Sequence, residues 1–161
     1  MITGRSVEAY ESQHGDGLAH LLRACGLLNR AEEIEAAGAL NFDVLVALED
    51  GDAVGYIHFQ TTGTYSEQFG LTDHPEPQVW VFGMAVTPDR RGSGVGALLL
   101  RELAQRVQVL GRTYLALQVD FRGDVERRIA FFNRQGLSWV DRESRAMGAP
   151  IARILGLDEG S

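Results

Sequence analysis

The chain has 161 residues, a formal net charge of −7, and 45% hydrophobic against 23% charged residues. This is the profile of one soluble globular domain spanning 1–161, with enough chain to bury a core without staples. No apolar run reaches the about 18 residues of a membrane span, the opening MITGRSVEAYESQ has no apolar stretch like a signal peptide, and no basic patch of the kind that grips nucleic acid is present.

Cys25 stands alone, so no intramolecular disulfide forms; this fits a reducing, cytoplasmic setting, and AHLLRACGLL reads as burying the thiol as a small hydrophobe. The four histidines show no metal-ligand spacing. All 15 basic residues are arginine. The acidic body favours a cationic small molecule or peptide as partner.

In chain order, Arg5–Ser12 reads as a strand. GDGLAHLLRACGLLN spaces Leu18, Leu21, Leu22, Cys25 and Leu28 by threes and fours, the helix period, and RAEEIEAAGAL reads as a second short helix ending near Gly38. FDVLVALED and AVGYIHFQTTG flank a tight hairpin centred on Gly51 and Asp52. GTYSEQFGLTDHPEP is a loop. QVWVFGMAVT is a strand apolar on both faces, which predicts a central position covered on both sides, with Gly83 marking a bulge or a close backbone approach. A helix follows from about Ser93 to Leu110, with a stripe of Val95, Leu99, Leu103 and Val107 widened by Leu98 and Leu110, and Gly111 as its C′ residue. RTYLALQVDF is a strand, DVERRIAFFNRQG a helix ended by Gly136, and LSWVDRE and PIARILG closing strands. The order predicts a mixed α/β domain.

Between the third clear strand and its helix lies RRGSGVG, Arg90–Gly96. A helix N-terminus carries unpaired N–H groups and a partial positive charge. Glycines let a ligand approach those groups, Arg91 adds a fork suited to phosphate oxygens, and Ser93 either caps the helix or donates to a phosphate. Together they predict a diphosphate cradle; the bland alternative is a glycine-rich turn with a surface arginine. A Walker loop is excluded because the chain has no lysine. The dinucleotide fingerprint is matched by Gly92, Gly94 and Ala97, with Asp120 ending the next strand. Against it, TPDRR separates the strand from the first glycine, and only 65 residues follow Gly96.

MAVTPDRRGSGVGALLL resembles the acetyl-CoA signature [RQ]-x-x-G-x-[GA] of the GNAT family of N-acetyltransferases, with Arg91, Gly92, Ser93, Gly94, Val95 and Gly96 in the signature and Pro88 upstream. TYLALQVD and FFNRQGL echo the family's later strand and helix, and the resemblance covers about residues 42–155. It implies the GNAT fold, a mostly antiparallel mixed sheet flanked by helices, with acetyl-CoA as acyl donor and a primary amine of a small molecule or peptide as acceptor. By the same resemblance the backbone of Met84, Ala85 and Val86 pairs with the pantetheine arm, the amides of Gly92–Gly96 hold the pyrophosphate, Phe132 lies against the donor, and a homodimer is expected.

The chain departs from the family pattern where protons move. The base position on the third strand is Phe82, the acid position is Phe132 with Asn133 beside it, and a frequent asparagine falls at Val125. Replacement bases are His58, Glu76 and Asp120, with Asp73 and His74 as further loop candidates. His58 equally reads as a partly exposed sheet histidine, Glu76 as a solvated loop charge, and Asp120 as the cap of the next turn. The missing acid and base leave a second reading open, a CoA-binding sensory or regulatory module with a degenerate site. A third is a small nucleotide-binding protein that takes NAD.

Overall fold

The computed structural model describes residues 4–9, 21, 43–61, 78–120 and 123–156. The strands are β1 (Arg5–Ala9), β2 (Asp43–Glu49), β3 (Asp52–Gln60), β4 (Gln78–Val86), β5 (Tyr114–Gln118), β6 (Ser138–Asp141) and β7 (Ala146–Pro150). They form a mixed sheet in the order β1-β2-β3-β4-β5-β7-β6. The helices are α1 (Val95–Val109), α2 (Val125–Arg134) and the single turn α3 (Ile151–Ile154), and a 3-10 turn spans Pro88–Arg90. Apart from Leu21, the two N-terminal helices expected around Cys25 lie outside the described residues. So do Asp73, His74 and Glu76 of the long loop.

Packing divides the chain into two compact units, residues 1–59 with 83–102 and residues 60–82 with 103–161. In the first unit β1, β2 and β3 are antiparallel neighbours. The hairpin turn is Asp50–Gly51, one residue earlier than expected: both have positive φ, 52° and 89°, and Glu49 pairs with Asp52. An Asp-Gly pair supplies the two positive φ values that a two-residue turn with the right twist requires. One face of this sheet buries Val44, Val46 and Tyr56 against Leu21. The other buries Leu45, Ala47, Ile57 and Phe59, and on this face β3 carries Gly55. A Cβ on Gly55 would lie 2.9 Å from Val95 Cγ1 and 3.0 Å from Leu99 Cδ1, so the glycine is what lets the first turns of α1 settle on the strand.

The helix itself follows its sequence pattern. Val95, Leu99, Leu103 and Val107 are buried, joined by Leu100 and Ala104. Two expectations fail at its ends. It starts at Val95, because Gly92 and Gly94 hold positive φ of 82° and 90° and Ser93 belongs to the turn between them. It stops at Val109, and Leu110 is 58% exposed rather than part of the stripe. Gly111, with φ 84°, closes the end as expected, and the Arg112 N–H donates back to the Val107 carbonyl at 3.0 Å.

β4 is also only partly as expected. Val79 and Val81 are buried, but Phe82 is 38% exposed and residues 83–86 are half-buried, so the strand is not covered on both faces beyond Val81.

In the second unit Gln78–Val81 of β4 pairs in parallel with Tyr114–Leu117 of β5, and β5, β7 and β6 continue antiparallel. Trp80, Tyr114 and Val140 pack on Ala116 and Ala146. The segment PIARILG is not a strand. The closing strand is Ala146–Pro150, and Pro150 at φ −57° leads into the turn α3, whose Ile151, Ile154 and Leu155 are all buried. Their spacing of three and four is a helical period that the short apolar run disguised.

Candidate functional site

The signature residues lie together in the first unit. Thr87 donates its N–H to the Val54 carbonyl at 2.9 Å, which fastens the end of β4 to β3. The 3-10 turn then carries the chain to Arg91, whose Nε donates to the Val86 carbonyl at 3.1 Å. That contact folds the guanidinium back along the strand end and leaves the side chain exposed. Gly92, Ser93 and Gly94 make the turn into α1. A side chain at Gly92 would meet nothing within 4 Å, so the outer face of the loop is open there. The first intrahelical bond runs from the Leu98 N–H to the Gly94 carbonyl at 3.0 Å. The N–H groups of Val95, Gly96 and Ala97 therefore have no acceptor within the helix. The first turn of α1 contains no acidic residue, so its positive end is not neutralised by its own side chains. A helix start of this kind suits an anion.

Ser93 does not cap α1. Its hydroxyl donates to the Arg90 carbonyl at 2.5 Å, and so it shapes the turn. Beneath the loop lies a group that sequence reasoning missed. Glu49, at the end of β2 and 11% exposed, accepts from Arg5 Nη2 at 2.8 Å and from Arg90 Nε at 2.8 Å. Arg5 Nη1 also donates to the Ser93 carbonyl at 3.1 Å. The hydrogen bonds from Arg5, then those from Arg90, hold the Glu49 carboxyl below its ordinary range; Glu49, with Asp89 and Asp52, raises the Arg90 guanidinium further. No motif could have flagged this triad, because Arg5 and Arg90 are 44 and 41 residues away from Glu49.

Of the catalytic candidates, His58 belongs to the first unit, Asp120 to the second, and Glu76 lies outside the described residues. His58 faces the same side of β3 as Tyr56, pairs with Val44, and is 5% exposed, a buried rather than partly exposed histidine. Asp120 belongs to the second unit and is exposed; its carbonyl accepts from Arg128, and the cap of α2 is Asp124, which accepts from the Arg127 N–H at 3.2 Å. Phe132 also lies in the second unit, 8% exposed and edge-on to Phe131. Met84, Ala85 and Val86 are half-buried in the stretch of β4 that leads into the loop.

A mycothiol acetyltransferase from Amycolatopsis mediterranei (strain U-32) is 31% identical over 146 residues, 81% of this chain; the chain spans 45% of that protein's length. Among solved structures, the GNAT family N-acetyltransferase YhbS from Escherichia coli in complex with CoA matches at a TM-score of 0.69 with 18% identity, over 97% of this chain and 87% of that one. A GNAT family acetyltransferase from Brucella melitensis in complex with acetyl-CoA matches at 0.64 with 18% identity, over 91% and 87%. Both share the fold. The model of the acetyltransferase (GNAT) family matches residues 8–137, most of the chain, with the glycine loop inside the match, and on that ground the chain belongs to the acetyltransferase (GNAT) family.

Proposed function

We propose that the protein transfers an acetyl group from acetyl-CoA to a primary amine on a small molecule or peptide, with the pyrophosphate of the donor held on the Arg91–Gly96 loop. The observation that carries the reading is the loop itself. Two glycines at positive φ, an open face at Gly92 and helix-start amides with no acceptor inside the helix, with an exposed arginine just before them in the chain, are what a diphosphate needs. The place of Met84–Val86, half-buried residues at the end of β4 that lead into the loop, supports a role in pairing with the pantetheine arm.

Acetyl-CoA supplies an activated thioester; the C–S bond breaks and a C–N bond forms. The acceptor must lose a proton and the leaving thiolate must gain one. Phe82 and Phe132 do neither. Of the three candidate bases, His58 is buried, Asp120 is exposed, and Glu76 lies outside the described residues. Buried His58 and exposed Asp120 favour a route in which water takes the acceptor's proton and the CoA thiolate leaves unaided, to be protonated from solvent.

Thiol release from acetyl-CoA, followed with and without a panel of primary amines, tests the reading. Amine-dependent release is expected, with Arg91→Glu losing donor binding while its unfolding temperature holds. No amine-dependent release, or an Arg91→Glu affinity equal to wild type, overturns it.

A further inference from the structure

We propose that Arg5 and Glu49 are positioning residues for the donor-binding loop, a tether from the β1–β2 edge that holds residues 90–94 in their cradle form before the donor arrives. The proposal rests on the reading of that loop as the CoA phosphate site.

The tether has two anchor points. One oxygen of Glu49 accepts from Arg90 at 2.8 Å, just before the loop. The other accepts from Arg5 Nε and Nη2 at 3.2 and 2.8 Å. The remaining arm of the same guanidinium donates to the Ser93 carbonyl at 3.1 Å, inside the loop. Glu49 therefore grips the chain on both sides of Gly92. Gly-Ser-Gly is the most conformationally free stretch of the site, and glycine loses the most backbone freedom on ordering. A loop already ordered by the fold loses less of that freedom when a ligand binds.

The residue types suit the task. The planar fork of Arg5 serves a carboxylate with two N–H groups and a carbonyl with a third, which a lysine ammonium cannot match in geometry. Glu49 is mostly shielded, so its ion pairs are less screened by salt than surface pairs. Arg5 Nη1 also lies 3.9 Å from where a Gly94 side chain would begin, against the loop and not across the sheet from it.

Titration calorimetry with CoA, together with donor KM and kcat in the presence of a reactive amine, tests the tether on wild type, Glu49→Ala, Arg5→Ala, Arg5→Lys and the double alanine variant. Each alanine change is expected to weaken CoA binding about tenfold and raise donor KM in step, with kcat at saturating donor within about twofold. The double variant is expected to be little worse than either single one, because both remove the same tether. Arg5→Lys keeps the charge and is expected to stay weak; if Glu49→Ala does not fold, this variant carries the test. CoA affinity within about twofold of wild type in the alanine variants, with only the unfolding temperature lowered, makes the network purely structural and overturns the tether. Full affinity in Arg5→Lys overturns it as well, since charge alone would then suffice. A wild type that binds no CoA removes the reading of the loop and the tether with it, a result distinct from either.

Discussion

Gly55 shows how much one missing side chain can decide. A methyl group there would sit 2.9 Å from Val95 and 3.2 Å from the Ala85 carbonyl. Neither neighbour can move freely, because Val95 begins the buried stripe of α1 and Ala85 packs into the Leu21 cluster. Gly55→Ala is expected to cost about 1–3 kcal/mol by overpacking, read as a lower midpoint in urea unfolding. The helix start it displaces carries the loop, so CoA affinity should fall too. Glu49 sets the acid limit of the same region. Its carboxyl is held below the ordinary value of 4.5 by hydrogen bonds from Arg5 and Arg90. A depressed folded-state value means that the unfolded chain takes up the proton first. Its contribution is therefore complete above the ordinary value and lost as pH falls through the folded-state value. Unfolding midpoints measured between about pH 6 and 3 should fall more steeply in wild type than in Glu49→Gln, which has no proton to gain.

At the scale of elements, the two longer helices end by rules that can be read in the sequence, and they begin by rules that can be read only in part. α1 ends at Val109, one residue short of the expected Leu110, with Gly111 closing it, and the buried part of its stripe follows from apolar spacing alone. Its start was misplaced by two residues because serine is a common helix cap, while here the Ser93 hydroxyl turns to Arg90. At α2 the cap is Asp124, the first residue of the helical segment read from the sequence, which accepts from the Arg127 N–H. Asp124→Ala is expected to destabilise by about 1 kcal/mol and Asp124→Asn to be near neutral, measured by chemical denaturation. The turn at Ile151–Ile154 was hidden because a short apolar run between Pro150 and Gly156 suits either strand or helix. The Arg5–Glu49–Arg90 triad was hidden for a different reason: sheet pairing, not local spacing, brings β1 to the loop.

Across the whole molecule, the mixed α/β order and the place of the glycine loop between a strand and a helix followed from pattern and spacing, while the mixed sheet followed from the family resemblance. Family membership followed from the same loop and is supported by the match over residues 8–137. The acceptor side left no such trace, because no fixed spacing of charged or aromatic residues marks it. The assignment of the glycine loop to the donor therefore comes first. The measurement that tests it most directly is thermal unfolding with acetyl-CoA, CoA and NAD, each near 100 times its Kd. Ligand that binds only the folded state at that concentration stabilises by about 2.7 kcal/mol, roughly 5–10 °C for a chain of this size. A rise of that order with acetyl-CoA and CoA and none with NAD is the predicted result. Protection by NAD alone, or by none of the three, would contradict the assignment of the Arg91–Gly96 loop to the CoA pyrophosphate.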